Sequence, residues 1–365
     1  MADPRRLTDD EARVLRGLEP LPDPQRYGAW VLRGKDVRGV ALGAVALGDL
    51  LWDDVDFDGV QWSRGALRRA QVQRSRFTDA AFAGCVFEDV LFIECSFTNL
   101  QASGVEFRRC RFERCVFASL YGHATVFDQC TFDGTRVVGA DIRDAIWQVC
   151  ALRGCEIEFL RAASTRWSGC AFELGSLRNC RLSYVNTSDL SFERTEFEQV
   201  LVVGGEHLHW RIGAAAGSGL KLVSVQLEEL RVTGCDGLSD LRLVTSRVHD
   251  AQLAGNPLLI GFLIFRSEVT ALHVADTKLV QAAFDQANIG PSSVYEGVAF
   301  DGFNIVDSQL TRPQFMRCRF GEYFYLHRSE LHSLVADALA YDPGLREIHE
   351  AVAYPNTAAH LGSRP

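Results

Sequence analysis

Lysine is scarce in this 365-residue chain: only Lys35, Lys221 and Lys278 accompany the arginines. The 38 basic residues together fall short of the 47 Asp and Glu, and the formal charge is −9. That balance disfavours a chain that holds nucleic acid on a basic surface, because neutralising phosphates takes an excess of Lys and Arg. Long apolar runs are also missing. The longest, Gly39 to Gly48 and Leu258 to Phe265, stop well short of the roughly 18–20 residues of a membrane-spanning helix. Met1 to Glu11 has no apolar stretch of the secretory-signal kind, so a cytoplasmic location is expected. Eleven cysteines, an odd number in a long chain without such a signal, argue against a disulfide framework. No nucleophile elbow, paired catalytic carboxylates or Cys–His signature stands out. Gly213-Ala-Ala-Ala-Gly217-Ser-Gly219-Leu-Lys221 lacks the Gly-Lys-Ser/Thr ending of a phosphate loop.

What is present is a five-residue clock. Stepping by five from Val37 to Val232 visits 40 positions, and 36 are apolar; Gly122, Thr187, His207 and Gly217 are the exceptions. The frame slips by one and resumes at Leu238, running through Leu258 and Leu263. It slips again at Val269, running to Val294, and a third time at Phe300, running to Tyr325. A period of five suits neither an α-helix nor a flat strand, whose periods are 3.6 and 2. Two residues before each centre runs a second clock, which holds all eleven cysteines. Their register with the repeat marks them as small buried hydrophobes rather than ligands. Pairs such as Cys110 and Cys115 are too far apart for ordinary zinc spacing, so neither metal nor cofactor is expected.

Stretches such as Cys85-Val-Phe-Glu-Asp, Cys95-Ser-Phe-Thr-Asn and Cys110-Arg-Phe-Glu-Arg resemble the pentapeptide-repeat family over about residues 37–327. The Asp or Asn that the family places before the centre survives at Asp56, Asp141 and Asn186, while Arg76, Val86 and Leu91 depart from it. The resemblance implies an all-β fold, a right-handed quadrilateral β-helix. Four pentapeptides make one coil, centre and minus-two side chains point inward, and residues twenty apart stack.

Solenoids need end caps. Thr8-Asp9-Asp10-Glu11 is a capping box opening an N-terminal helix, which assigns residues 1–31 to a helical cap and 32–328 to the β-helix. Residues 204–219, with tiny or polar residues at centre positions, read as an irregular stretch: a bulge, an outward loop or a kink. Ser329 followed by Leu331, Leu334, Val335 and Leu339 on one stripe predicts a helix in a C-terminal cap and tail over 329–365, with Leu345, Ile348 and Val352 in a second short helix.

A filled coil offers little concave pocket, so a non-enzymatic binding scaffold is expected. The resemblance sharpens this. Several family members with the same Cys-X-Phe units protect bacterial DNA gyrase or topoisomerase IV as acidic rods of about duplex width, and their C-terminal helices join two rods. Carried onto this chain, that implies a bacterial cytoplasmic protein that guards a topoisomerase against a poison, with no nucleic acid bound directly. It also implies a homodimer through the Leu331–Leu339 helix. The candidate surface is Asp56, Asp58, Asp79, Glu156, Glu158, Glu196 and Glu198, interrupted by Arg38, Arg76, Arg136 and Arg178. The alternative is an adaptor or secreted-effector component docking through another surface, such as the basic cluster Arg64, Arg68, Arg69, Arg74 and Arg76. A third, weaker reading is an enzyme built around His207, His209 and the irregular stretch.

Overall fold

A chain that must turn every fifth residue leaves only about three residues straight on each side of a coil. Along one side of a coil the strand is three residues, as in Ser96–Thr98, Gln101–Ser103 and Glu106–Arg108, and where pairing continues through a corner it reaches eight, as in Ala66–Gln73 and Asn186–Glu193. Between one side and the next stands a corner residue in the left-handed region, for example Asp79 (φ 54°), Asn99 (φ 53°) and Gly104 (φ 60°). Gly, Asn and Asp adopt this conformation most readily. The computed structural model describes residues 5–20, 30–341 and 346–350, and the chain divides into two compact units, Met1–Leu182 and Ser183–Pro365. Each is a parallel β-solenoid.

In the first unit the coil takes twenty residues: Phe97 pairs with Phe77 below and Phe117 above, and Phe107 with Phe87 and Phe127. Strand spacing places like rings face to face. Centroids are 4.8 Å apart for Phe77–Phe97, 4.6 Å for Phe97–Phe117 and 4.9 Å for Phe92–Phe112, with planes within 11°. The minus-two cysteines fill the space between columns, and all eleven are buried and unbridged. Each thiol has a backbone partner in the preceding coil: Cys110 Sγ donates to Phe87 O at 3.3 Å, Cys130 to Phe107 O at 3.3 Å and Cys150 to Phe127 O at 3.4 Å. Burial pushes the Cys155 and Cys180 thiols up to about 11, so they stay protonated. At the N-terminus, helix Asp9–Leu15 carries the capping box: Glu11 N donates to Thr8 Oγ1 and Thr8 N to Glu11 Oε2. It buries Leu15 while leaving Leu18 exposed.

In the second unit many coils take 21 residues, such as Gln226 to Arg247 to Glu268. Only Cys235 and Cys318 of the cysteines lie there, and hydroxyl and amide side chains take inward places in several of its coils. Val225 N donates to Ser246 Oγ at 3.3 Å, and Ser246 N to Ser267 Oγ at 3.0 Å. Cys235 N donates to Asn256 Oδ1 at 2.9 Å, while Asn256 Nδ2 donates to Val232 O at 3.0 Å. An unpaired buried amide costs about 1–3 kcal/mol, so these side chains stabilise the longer coils.

Three sequence expectations need correction. The first slip, from Val232 to Leu238, falls where the clock places it, but the second and third do not. Leu259 and Ile264 are buried, not Leu258 and Leu263; Tyr295 is buried rather than Val294, and Leu326 rather than Tyr325. The extra residue enters one or two pentapeptides earlier, next to Asn256-Pro257 and before Tyr295, with a fourth slip before Leu326. A one-residue shift in a strand exchanges inside for outside. Residues 204–219 are neither loop nor kink. Strands Glu206–Gly213 and Ala216–Val223 keep the ladder, with His207 between Thr187 and Leu227, and Gly217 beside Phe197.

The C-terminal helix is absent among the described residues. Glu330–His332, Val335–Asp337, Ala340–Tyr341 and Arg346–Glu350 are strands. Leu331 and Leu334 are buried inward, Leu339 is half-buried, and Val335 points out at 52% exposure. The preceding coil ends in unpaired backbone groups, which this segment takes up: Val335 N donates to Pro313 O at 3.0 Å and Ala340 N to Cys318 O at 2.9 Å. Ser329 is no helix cap; its Oγ accepts from Ser308 N and donates to Ile305 O. The expected dimer helix therefore loses its basis. Leu345 and Val352 of the second expected helix lie outside the described residues.

Candidate functional site

With the interior filled by apolar columns, the charged side chains stand on the outer faces. The candidate acidic surface divides between the units: Asp56, Asp58, Asp79, Glu156 and Glu158 lie in the first, Glu196 and Glu198 in the second. In the first unit the stacking brings opposite charges together from coil to coil. Arg76 Nη2 lies 2.5 Å from Asp56 Oδ2, and Arg136 Nε lies 3.7 Å from Glu156 Oε2. Asp58 Oδ1 accepts from Thr78 N at 2.8 Å, and Asp79 Oδ1 from Asn99 Nδ2 at 3.0 Å. Glu158 stands in register with Arg178.

Four of the five arginines of the basic cluster are neutralised in the same way, and Arg64 has no ion pair among the described residues. Arg68 pairs with Glu88 at 3.1 Å and Arg69 with Asp49 at 2.6 Å, while Arg74 reaches the buried Asp53. Exposed pairs of this kind add little stability, but they erase the field of either sign. The composition agrees: Met1–Leu182 holds 25 acidic and 24 basic residues, and Ser183–Pro365 holds 22 and 14. The acidity of the chain belongs to the second unit, which composition of the whole conceals.

The second unit also carries a groove of about 430 Å³ that the sequence reading missed. It runs over four coils. One rim is the ladder Glu206, Gln226, Arg247 and Glu268, the other Leu208, Glu228, His249 and Thr270, and His207, Leu227 and Val248 form the floor. Once 21-residue coils are recognised, these residues can be found as successive rungs at spacings of 20 and 21.

Beneath the groove lies a polar relay. Trp210 Nε1 can only donate, and does so to Thr187 Oγ1 at 2.6 Å. Thr187 then donates its proton to His207 Nδ1 at 3.0 Å, leaving Nε2–H to donate to Gly204 O at 3.3 Å. The ring is thus neutral, and burial lowers its pKa to about 4. His209 is on the exposed side of the same strand, 3.1 Å from Asp189 Oδ1. The two imidazoles are not brought together. Among the described residues no group of three or more His, Cys, Asp and Glu is arranged to hold a metal ion.

A pH dependence follows from His207. Its folded pKa of about 4 lies below the roughly 6.5 of an unfolded His, so the unfolded chain takes the proton first. Stability is complete above pH 6.5 and is lost as pH falls through 6.5 towards 4. The full window is worth about 3 kcal/mol at about 1.4 kcal/mol per pKa unit. Urea unfolding at pH 7.5 and 4.5 should show wild type losing about 2–3 kcal/mol more than His207→Leu. Equal losses would mean the ring is protonated in the folded chain.

A cavity of about 40 Å³ lies inside the first unit, lined by Phe127, Phe132, Trp147, Trp167 and other apolar side chains. Thr135 and Cys155 in its lining donate to Phe112 O and Phe132 O. Among the described residues no helix is long and apolar enough to cross a membrane.

Comparison with known proteins places eight copies of the model for pentapeptide repeats on residues 75–114. A search of curated protein sequences finds no match. Among solved structures, the chain is similar to trypsin-treated QnrB1, described as a plasmid-mediated fluoroquinolone resistance protein. Identity is 13% and TM-score 0.33, over 48% of this chain and 90% of that one. It is also similar to HetL, a pentapeptide repeat protein involved in heterocyst differentiation regulation in the cyanobacterium Nostoc. There identity is 12% and TM-score 0.29, over 62% of this chain and 86% of that one. A PL6 alginate lyase matches at 9% identity and TM-score 0.29, over 85% of this chain and 83% of the lyase.

Proposed function

We propose, from the premise that the chain is a pentapeptide-repeat protein folded as a parallel β-solenoid, that it acts by binding a protein partner and has no turnover. One observation carries this reading: the inward columns are packed and mostly apolar, and inward polar groups such as His207, Thr187 and Asn256 are engaged in hydrogen bonds within the coils, so the charged side chains on the outer faces are left to meet a partner. A partner is then recognised by rows of side chains repeated at coil spacing.

The sharpest form of the proposal names DNA gyrase or topoisomerase IV, held by carboxylates that imitate phosphates. The excess of 22 acidic over 14 basic residues supports assigning that role to the second unit. In the first unit 25 acidic residues are balanced by 24 basic ones, and Asp56 and Glu156 each face an arginine. Purified chain should alter supercoiling, or rescue the enzyme from a poison, at stoichiometric amounts. Glu196→Lys with Glu198→Lys should weaken the effect, and added salt should weaken it further by screening. Asp56→Asn with Glu156→Gln should change it far less. No effect on either enzyme at any ratio removes the topoisomerase reading and leaves a scaffold for another protein, an adaptor or effector component.

A further inference from the structure

The groove of the second unit has a chemistry of its own. Arg247 is the only Arg or Lys among its lining residues, and it lies 3.7 Å from Glu268. Glu206 and Glu228 are exposed and have no ion-pair partner among the described residues. They stand on opposite rims in neighbouring coils. The two rims are two residues apart along the strand, roughly 6–7 Å, and the coils are about 4.8 Å apart, which puts the carboxylates on the order of 8 Å from one another. Such a channel is too narrow for an α-helix, whose diameter is roughly 10–12 Å, and suits one extended strand. Between the two glutamates Leu208 is 45% exposed, and the amide of Gln226 and the hydroxyl of Thr270 offer hydrogen bonds along the rims.

We infer that this groove holds an extended basic segment of the protein partner, with two cationic side chains one residue apart set against Glu206 and Glu228. Alternate side chains of an extended chain lie roughly 6.6 Å apart on one face, which matches the separation of the two carboxylates within the reach of Lys or Arg. The exposed Leu208 and the polar rims favour a peptide over a simple polyamine, which has neither side chains nor backbone amides to use them. The inference deepens the binding function proposed above and rests on it.

The test is fluorescence anisotropy with the full chain and a labelled six-residue peptide carrying two arginines on either side of one leucine. Saturable binding is expected, and Glu206→Gln with Glu228→Gln together should weaken it at least about tenfold, with salt weakening the wild-type complex. Glu156→Gln, on the other unit, should bind as wild type does. Far-UV circular dichroism checks that the double variant keeps its solenoid, as exposed positions allow. Absence of saturable binding, equal affinity of the double variant, or binding of the same peptide with glutamates for arginines would overturn the assignment. So would displacement by spermidine at the concentration at which unlabelled peptide displaces. A chain that ignores the peptide yet alters supercoiling at stoichiometric amounts loses the groove and keeps the binding function.

Discussion

Replacing Phe97 with alanine is expected to lower the free energy of unfolding by about 3–5 kcal/mol, the range for a large aromatic removed from a core. The ring is 2% exposed and stacks on Phe77 and Phe117, with Phe92 and Phe112 meeting it edge-on at 5.6 and 6.5 Å. The backbone on both sides is tied into parallel ladders, Ser96 with Arg76 below and Val116 above, so the coil cannot collapse into the void. In a solenoid the loss strikes two coil interfaces at once, because each repeat leans on both neighbours. Val116→Ala, at an outward position 41% exposed, should stay within about 0.5 kcal/mol. Urea unfolding of both variants decides it. A Phe97→Ala loss below about 1 kcal/mol would mean that the rings do not form a continuous column.

Gly217→Ala is expected to be nearly as damaging, about 3 kcal/mol or more, although it adds a single methyl group. Gly217 has φ +95°, and a Cβ there would come within 2.1 Å of Phe197 O and 2.9 Å of Phe197 N. These are backbone atoms of the neighbouring coil and cannot swing aside. Ala214, at a left-handed corner with φ 46°, shows that a methyl group alone is tolerated nearby. The expected contrast is a marked fall in thermal midpoint for Gly217→Ala and little change for Ser218→Ala, which a melting curve of each variant measures. A Gly217→Ala chain as stable as wild type would mean that this rung is not held in the ladder.

Gly217 also illustrates how the fold was legible and where legibility ended. As a centre without a side chain it looked like a break in the repeat. In the structure it is a close approach, where the backbone itself takes the place of a ring. His207 was another apparent failure of the clock. It is an inward residue whose polarity is absorbed by Thr187 and Gly204. Conversely, Leu331, Leu334 and Leu339 satisfied a helical stripe by coincidence. Spacings of three and eight occur in both patterns, and the open edge of the preceding coil decided between them. The candidate site was less legible than the fold. Asp56 and Glu156 look like acidic features in one dimension and are halves of ion pairs in three.

The amino-acid sequence by itself determined the five-residue period, the inward columns of Phe and Leu, the burial of every cysteine and the capping box of the first helix. Each of these is set within one pentapeptide or one turn, by whether a side chain can be buried and a corner made. Only the tertiary structure decided where the extra residues enter the longer coils, how the last coil continues, which charges cancel and where a groove opens. Those outcomes depend on which residue stands 20 or 21 positions away. A single inserted residue changes that neighbour and turns an inward side chain outward, so they are settled by stacking between coils rather than by the local pattern.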